Sequence, residues 1–127
     1  MHSFNCRVYY EDTDLAGIVY YANYLKFIER ARSEWVRTLG IDQAQLKRDA
    51  GIVFAVRHVT ADYLSPARFD DMLTITTQPA HIAGARLVLH QRVLRGADIL
   101  FDAQVTLVAI GANGAPARLP KVLMQAL

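Results

Sequence analysis

A single cysteine, Cys6, is all the thiol that this 127-residue chain carries. One thiol excludes an intrachain disulfide framework and any multi-cysteine metal site. Cys6 alternates with Phe4 and Val8, which predicts a buried thiol on a strand. Long apolar runs are missing too, since none approaches the ~18 residues of a membrane span. The start Met1-His2-Ser3-Phe4-Asn5-Cys6-Arg7 lacks the basic-then-apolar order of a secretory signal. These absences predict a cytoplasmic chain with no stable membrane insertion. Dense positive charge is also lacking. Fourteen Lys and Arg face twelve Asp and Glu for a net charge of +2, scattered singly or in pairs. A phosphate-tracking surface needs a denser basic stripe, so nucleic acid is not an expected partner. A few arginines still suffice for a small anionic ligand.

Apolar residues, by contrast, are plentiful. They make up 53% of the chain, and charged residues only 20%. Domains of this length are ordinarily about a quarter charged. Disorder is excluded, and the apolar surplus points to surface buried against another subunit. The length matches the ~100–150 residues typical of single domains. With no linker, repeat or low-complexity tract, one domain over residues 1–127 is expected.

Periodicity gives the element order. Residues 3 to 10 alternate, predicting a strand. Tyr21, Tyr24, Ile28, Ala31, Trp35 and Leu39 recur every three or four residues, with Leu25, Phe27 and Val36 widening the stripe. That spacing predicts an amphipathic helix over 22–39, ended by Gly40 in the left-handed conformation. Asp42 is a plausible cap for a short second helix closed before Gly51. Strands follow at 52–64, 72–80, 86–95 and 99–110, and the tail from 117 is less regular. The short turns between them imply antiparallel pairing. A helix with one apolar stripe lies on one face of such a sheet and cannot protect every edge. The expectation is an α+β domain: an antiparallel sheet of about five strands wrapped around one long helix, and a dimer.

The densest polar cluster is Glu11-Asp12-Thr13-Asp14. A solvated acidic turn is its simplest reading. A calcium loop from Asp12 would need an oxygen ligand where Ala16 stands and a bidentate glutamate where Asn23 stands, so it fails. A phosphoaspartyl site would need a Rossmann-like fold that this strand order does not supply. A sharper reading joins the turn to the helix that follows. Gly17 allows close backbone approach to a ligand. The first N–H groups of a helix lack intrahelical partners and sit at its positive end. Such donors polarise a carbonyl and hold an oxyanion, and a neighbouring carboxylate serves as nucleophile or general base. Asp14, a few residues before the helix, suits that role in acyl transfer.

The run Val8-Tyr9-Tyr10-Glu11-Asp12-Thr13-Asp14-Leu15-Ala16-Gly17-Ile18-Val19-Tyr20-Tyr21-Ala22-Asn23-Tyr24 resembles the signature of hotdog-fold acyl-CoA thioesterases. The likeness is greatest to those associated with Tol–Pal clusters, with the hydroxybenzoyl-CoA thioesterases as near cousins. It continues through Phe27 to Trp35, Tyr63 to Leu73 and Arg118 to Lys121, nearly the whole chain. The resemblance implies a hotdog fold and hydrolysis of an acyl-CoA thioester to a carboxylic acid and free coenzyme A. It places the catalytic aspartate on Asp14 and the carbonyl-polarising backbone amide on Tyr21. Tol–Pal-type relatives often carry histidine at the place of Tyr21, whereas the hydroxybenzoyl branch carries tyrosine, as here. The backbone donor survives that change and an imidazole does not. No metal or separate cofactor is implied, and the site is expected at the interface of a homodimer or of a tetramer of two dimers. Acyl carrier protein is an alternative thiol carrier. A hotdog module that binds acyl-CoA without cleaving it is the alternative function, disfavoured by the presence of Asp14.

Other candidates are weaker. Tyr20, Tyr21 and Tyr24 are placed to line an acyl pocket, although aromatic residues at a helix start more often join a core. Arg57, Arg68, Arg86, Arg118 and Lys121 are candidates for the phosphates of coenzyme A, with Arg118 and Lys121 preferred because the likeness covers them. His58, His81 and His90 have no paired spacing of a metal site.

Overall fold

Short turns and period-two segments build one sheet in the computed structural model of the protein, which describes residues 1–126. The strands are β1 (His2–Arg7), β2 (Val53–Tyr63), β3 (Met72–Ala83), β4 (Arg86–Arg95) and β5 (Asp98–Ile110). The helices are α1 (Asn23–Thr38), α2 (Gln43–Ala50) and α3 (Lys121–Met124). The strand order is β1-β3-β4-β5-β2, and every neighbouring pair is antiparallel. The architecture is α+β, as expected.

Several boundaries differ from the sequence reading. The first strand stops at Arg7, because a turn of 3-10 helix at Tyr10–Asp12 takes the chain out of the sheet. Val8 still bridges to the chain before β3, donating to Asp71 O and accepting from Asp70 N, each at 2.9 Å. β3 runs past Pro79 to Ala83, and its register with β4 shifts between Pro79 and His81. Proline lacks the N–H that a regular ladder requires, so the irregularity falls where the donor is missing. The tail turns into the short α3. Asp42 caps α2 as expected, accepting from Gln45 N, and Gly40 closes α1 with φ of +82°.

Alternation decides what is buried. Leu73, Ile75, Leu87, Leu89, Val93, Phe101, Ala103, Val105, Leu107 and Ala109 form the inner sheet face. Tyr24, Phe27, Ile28, Ala31, Trp35 and Val36 of α1 pack onto it. The predicted stripe is too wide at its start, because Tyr21 and Leu25 are exposed. α1 packs mainly on β1, β3 and β4 rather than centrally beneath all five strands. Cys6 is half-buried on β1, not fully buried, and burial raises its thiol pKa against the lowering effect of Arg30.

The edge strand β2 is left outside this arrangement. Among the described residues it pairs only with β5, and Val53, Val56, Val59 and Tyr63 along it stay exposed, with Leu64 just beyond. Part of the apolar surplus is therefore placed along one long edge strand. An open edge of this kind is a template for pairing with another chain.

One polar group interrupts the core. Gln91 of β4 is fully buried beneath α1. Its amide nitrogen donates to Ile28 O and to Thr77 Oγ1, both at 2.9 Å, and its carbonyl oxygen faces Arg32 Nη1 at 3.4 Å. An unpaired buried polar group costs about 1–3 kcal/mol, so every contact here counts. Gln91→Leu should strand the Thr77 hydroxyl and destabilise the protein by about 1–3 kcal/mol in urea unfolding. An unchanged midpoint would show the network to be energetically idle.

Candidate active site

The acidic cluster divides into two aspartates with different jobs. Asp12 is buried, and its Oδ2 accepts from Tyr9 N at 2.8 Å. Its backbone oxygen accepts from Tyr20 N and from Asn23 Nδ2, each at 2.9 Å. One residue thereby ties the exit of β1 to the entrance of α1. Asp14, two positions on, is exposed.

Asp14 opens a tight hairpin whose stem is the Thr13–Val19 bridge. Its N–H donates to Ile18 O, and its carbonyl accepts from Gly17 N, each at 2.9 Å. One carboxylate oxygen accepts from Ala16 N at 2.9 Å, a local turn that aims the side chain. Gly17 has φ of +78°, and a Cβ there would meet nothing within 4 Å. Glycine is needed here for its left-handed backbone, which other residues adopt only at a cost.

The hairpin is seated on the segment that precedes β3. Ile18 bridges to Arg68, and Val19 N donates to Ala67 O at 2.8 Å. Asp71 Oδ2 fixes that segment by accepting from Arg68 N and from Arg95 Nη1, both at 2.8 Å. Arg95 also donates to Pro66 O at 3.3 Å. Asp70 takes a positive φ of 71°, and Arg7 donates to both its carbonyl and its carboxylate. Partial burial works to raise the Asp71 pKa, but the Arg68 N–H and the Arg95 guanidinium outweigh it and hold it below the usual carboxylate value.

After the hairpin, Asn23 N donates to Tyr20 O at 2.8 Å and α1 begins. Among the described residues neither the Tyr21 nor the Ala22 N–H donates a hydrogen bond. These are free donors at the positive end of a 16-residue helix. Asp14 and the Tyr21 amide thus lie at the same end of the sheet, joined through Asp12. Several large side chains in the adjoining segments are exposed, namely Leu15, Tyr20, Tyr21, Tyr63, Leu64 and Phe69, and Tyr21 packs edge-on against both Tyr20 and Tyr63. Tyr24 differs. It is buried, stacks on Phe101 at 5.0 Å and accepts from Ala67 N through its hydroxyl.

Arg118 and Lys121 lie elsewhere. Leu119 N donates to Gly84 O and Ala117 N to Ala109 O, so the tail lies by the β3–β4 hairpin. Asp14 lies at the opposite end of β3, a 12-residue strand spanning about 35 Å at ~3.3 Å per residue. An open depression of about 500 Å³ lined by Ser33, Arg37 and the α1–α2 turn is also remote from Asp14, beyond the far end of α1. His90 pairs with Asp102 on the outer sheet face. No three His, Cys, Asp or Glu side chains among the described residues converge to hold a metal ion. No helix among them is long and apolar enough to cross a membrane. The sequence reading gave no structural role to Asp12, whose part rests on its burial, nor to Asp71 and Tyr63, whose parts rest on contacts 24 and 42 positions away in the chain.

A fold of this kind with a carboxylate beside a helix start can be set against known proteins. Residues 16–101 match the model of the thioesterase superfamily, and the chain belongs to that superfamily. Its class is thus thioester hydrolase, and its fold the hotdog fold. Among particular relatives, it is 41% identical over 120 residues to the acyl-CoA thioester hydrolase YbgC of Escherichia coli, covering 93% of this chain and 89% of that protein. It is 41% identical to the acyl-CoA thioesterase YbgC of Haemophilus influenzae over 85% of this chain and 79% of that one. A probable thioesterase from Bartonella henselae superposes with a TM-score of 0.90 at 40% identity, covering 94% of this chain and 98% of the other.

The depressed Asp71 pKa fixes the sign of a pH effect. Its stabilisation is present above the unfolded value of about 3.9 and is lost as pH falls through the lower folded value. Asp71→Asn should cost about 1 kcal/mol at neutral pH, and the gap from wild type should close in strong acid. Urea unfolding at several pH values measures it, and a pH-independent gap would contradict the ion-pair origin.

Proposed function

We propose that the protein is an acyl-CoA thioesterase in which residues 1–127 act as one hydrolase domain. The observation that carries this reading is the exposed Asp14 carboxylate fixed at the same end of the sheet as the free Tyr21 N–H, in a chain of the thioesterase superfamily. The relatives named as acyl-CoA thioesterases support the substrate class. The thioester carbonyl oxygen accepts from the Tyr21 N–H, which stabilises the negative charge that develops on attack. Asp14 either attacks the carbonyl carbon, breaking the C–S bond to expel coenzyme A as its thiolate and leave a mixed anhydride that water then hydrolyses, or takes a proton from water that attacks the carbonyl and displaces the same thiolate, which leaves protonated. The products are a carboxylic acid and coenzyme A, and the reaction as proposed draws on no cofactor beyond the coenzyme A that the substrate carries. Tyr20 and the Gly17 hairpin border the acyl group. The buried Tyr24 supports that wall from behind.

A second copy completes the proposed site. Val53, at one end of β2, pairs with Ile110, near the tail, whereas Tyr63 at the other end lies by the helix start. Antiparallel pairing of two β2 edges sets the far end of one copy beside the Asp14 end of the other. That arrangement resolves the separation of Arg118 and Lys121 from Asp14, since the pair would serve the site of the opposite copy. Acyl carrier protein in place of coenzyme A would present the same thioester without needing that pair.

Asp14→Asn should lower turnover of acyl-CoAs at least about 100-fold with the fold unchanged by circular dichroism. Thiol release from a panel of short, long and aromatic acyl-CoAs is the assay. Near-wild-type turnover by Asp14→Asn would refute the assignment, and binding without release across the panel would favour the non-catalytic module. Specific activity should also fall on dilution to the monomer, followed by light scattering, and a fully active monomer would break the link to the β2 edge.

A further inference from the structure

The carbonyl of Tyr21 is held by a residue 42 positions away in the chain. Tyr63, the last residue of β2, donates its hydroxyl proton to Tyr21 O at 2.9 Å. Among the described residues this oxygen has no other donor. On the other side of Tyr21, the Tyr20 carbonyl is engaged by Asn23 N. The two peptide units that flank Tyr21 therefore have both carbonyls pinned and both N–H groups free. The Tyr63 ring is itself fixed edge-on against Phe101 at 5.0 Å, Tyr24 at 5.5 Å and Tyr21 at 6.1 Å.

We infer that Tyr63 is the positioning residue of the oxyanion donors, its hydroxyl locking the Tyr21–Ala22 peptide so that the free N–H groups at the start of α1 hold their aim. This rests on the thioesterase reading above. Two physical effects follow from the one hydrogen bond. It fixes the plane of the 21–22 peptide, and with the Tyr20–Asn23 bond it fixes the direction of the Tyr21 N–H. A hydrogen bond to a carbonyl also polarises its own amide, which makes the Ala22 N–H a stronger donor. Burial, with Tyr21 and Tyr24 adding to it, raises the Tyr63 pKa, so the phenol stays a donor throughout the neutral range. Preorganised donors accelerate acyl transfer because they need no reorientation as charge develops. Their loss is felt in the transition state more than in the bound substrate.

Tyr63→Phe keeps the ring and removes only the donor. Its kcat for the acyl-CoA turned over fastest by the wild type should fall about 10-fold, with KM within about twofold and the melting temperature within a few degrees. In the amide NMR spectrum the Ala22 nitrogen should move upfield, reporting loss of the hydrogen bond to the Tyr21 carbonyl. Tyr63→Leu, which removes ring and hydroxyl together, should lose no less activity and also stability. A Tyr63→Phe kcat within twofold of wild type, or a fall in kcat/KM carried wholly by KM, would overturn the inference. So would a loss confined to Tyr63→Leu, since ring packing alone would then account for it. Asp14→Asn run beside these variants separates the two levels. An inactive Asp14→Asn with a fully active Tyr63→Phe overturns only the positioning role, an active Asp14→Asn overturns the role given to that carboxylate, and no thiol release by the wild type overturns the hydrolase reading itself.

Discussion

The rest of the site depends on one buried residue that takes no part in the proposed chemistry. Asp12 receives the Tyr9 N–H on its carboxylate, and the Tyr20 N–H and Asn23 side chain on its carbonyl. Those bonds draw together the end of β1, the hairpin that carries Asp14, and the first residues of α1. Each is short, and each partner lies in chain that would otherwise be free to move at a sheet end. An exposed carboxylate is useful only if its position is defined, and here it is defined by its buried neighbour two positions earlier. The hairpin then needs only Gly17 and its own backbone bonds to keep its shape.

Much of the fold was legible in the sequence, for reasons that can be assigned. Alternation in 86–95 and 99–110 marked β4 and β5 nearly to the residue, because one face of each is fully buried. Gly40 and Asp42 marked the α1–α2 junction, because a left-handed terminus and a side-chain cap leave clear residue types behind. The errors have physical causes as well. Val8 and Tyr10 continue the alternation of β1, but the 3-10 turn that ends that strand is held by Asp12, and such a contact leaves no periodic trace. Tyr21 falls on the apolar stripe by spacing, yet it precedes the helix and stays exposed.

The candidate site was legible in part. Asp14, Gly17 and the helix start are close in sequence, so local reasoning brings them together. What distinguishes Asp12 from Asp14 is burial, which composition does not encode. The clamp of Arg95 on Asp71 joins residues 24 positions apart, and the bond of Tyr63 to Tyr21 spans 42. No local pattern signals either. Arg118 and Lys121 show the converse limit: the sequence marks them as basic and near the end of the chain, but only the strand registers reveal which end of the sheet they occupy.

Gln91 bears on all of this from the middle of the molecule. An apolar stripe on an apolar sheet is a poor ruler, because sliding a helix by one turn, about 5.4 Å, exchanges one greasy contact for another. The amide beneath α1 ends that degeneracy: it meets the Ile28 carbonyl in only one axial seat. With the seat fixed, the helix start some way off is fixed as well, to a fraction of a turn. The aim of the backbone donors is thus calibrated by a glutamine buried in the core, out of reach of any substrate.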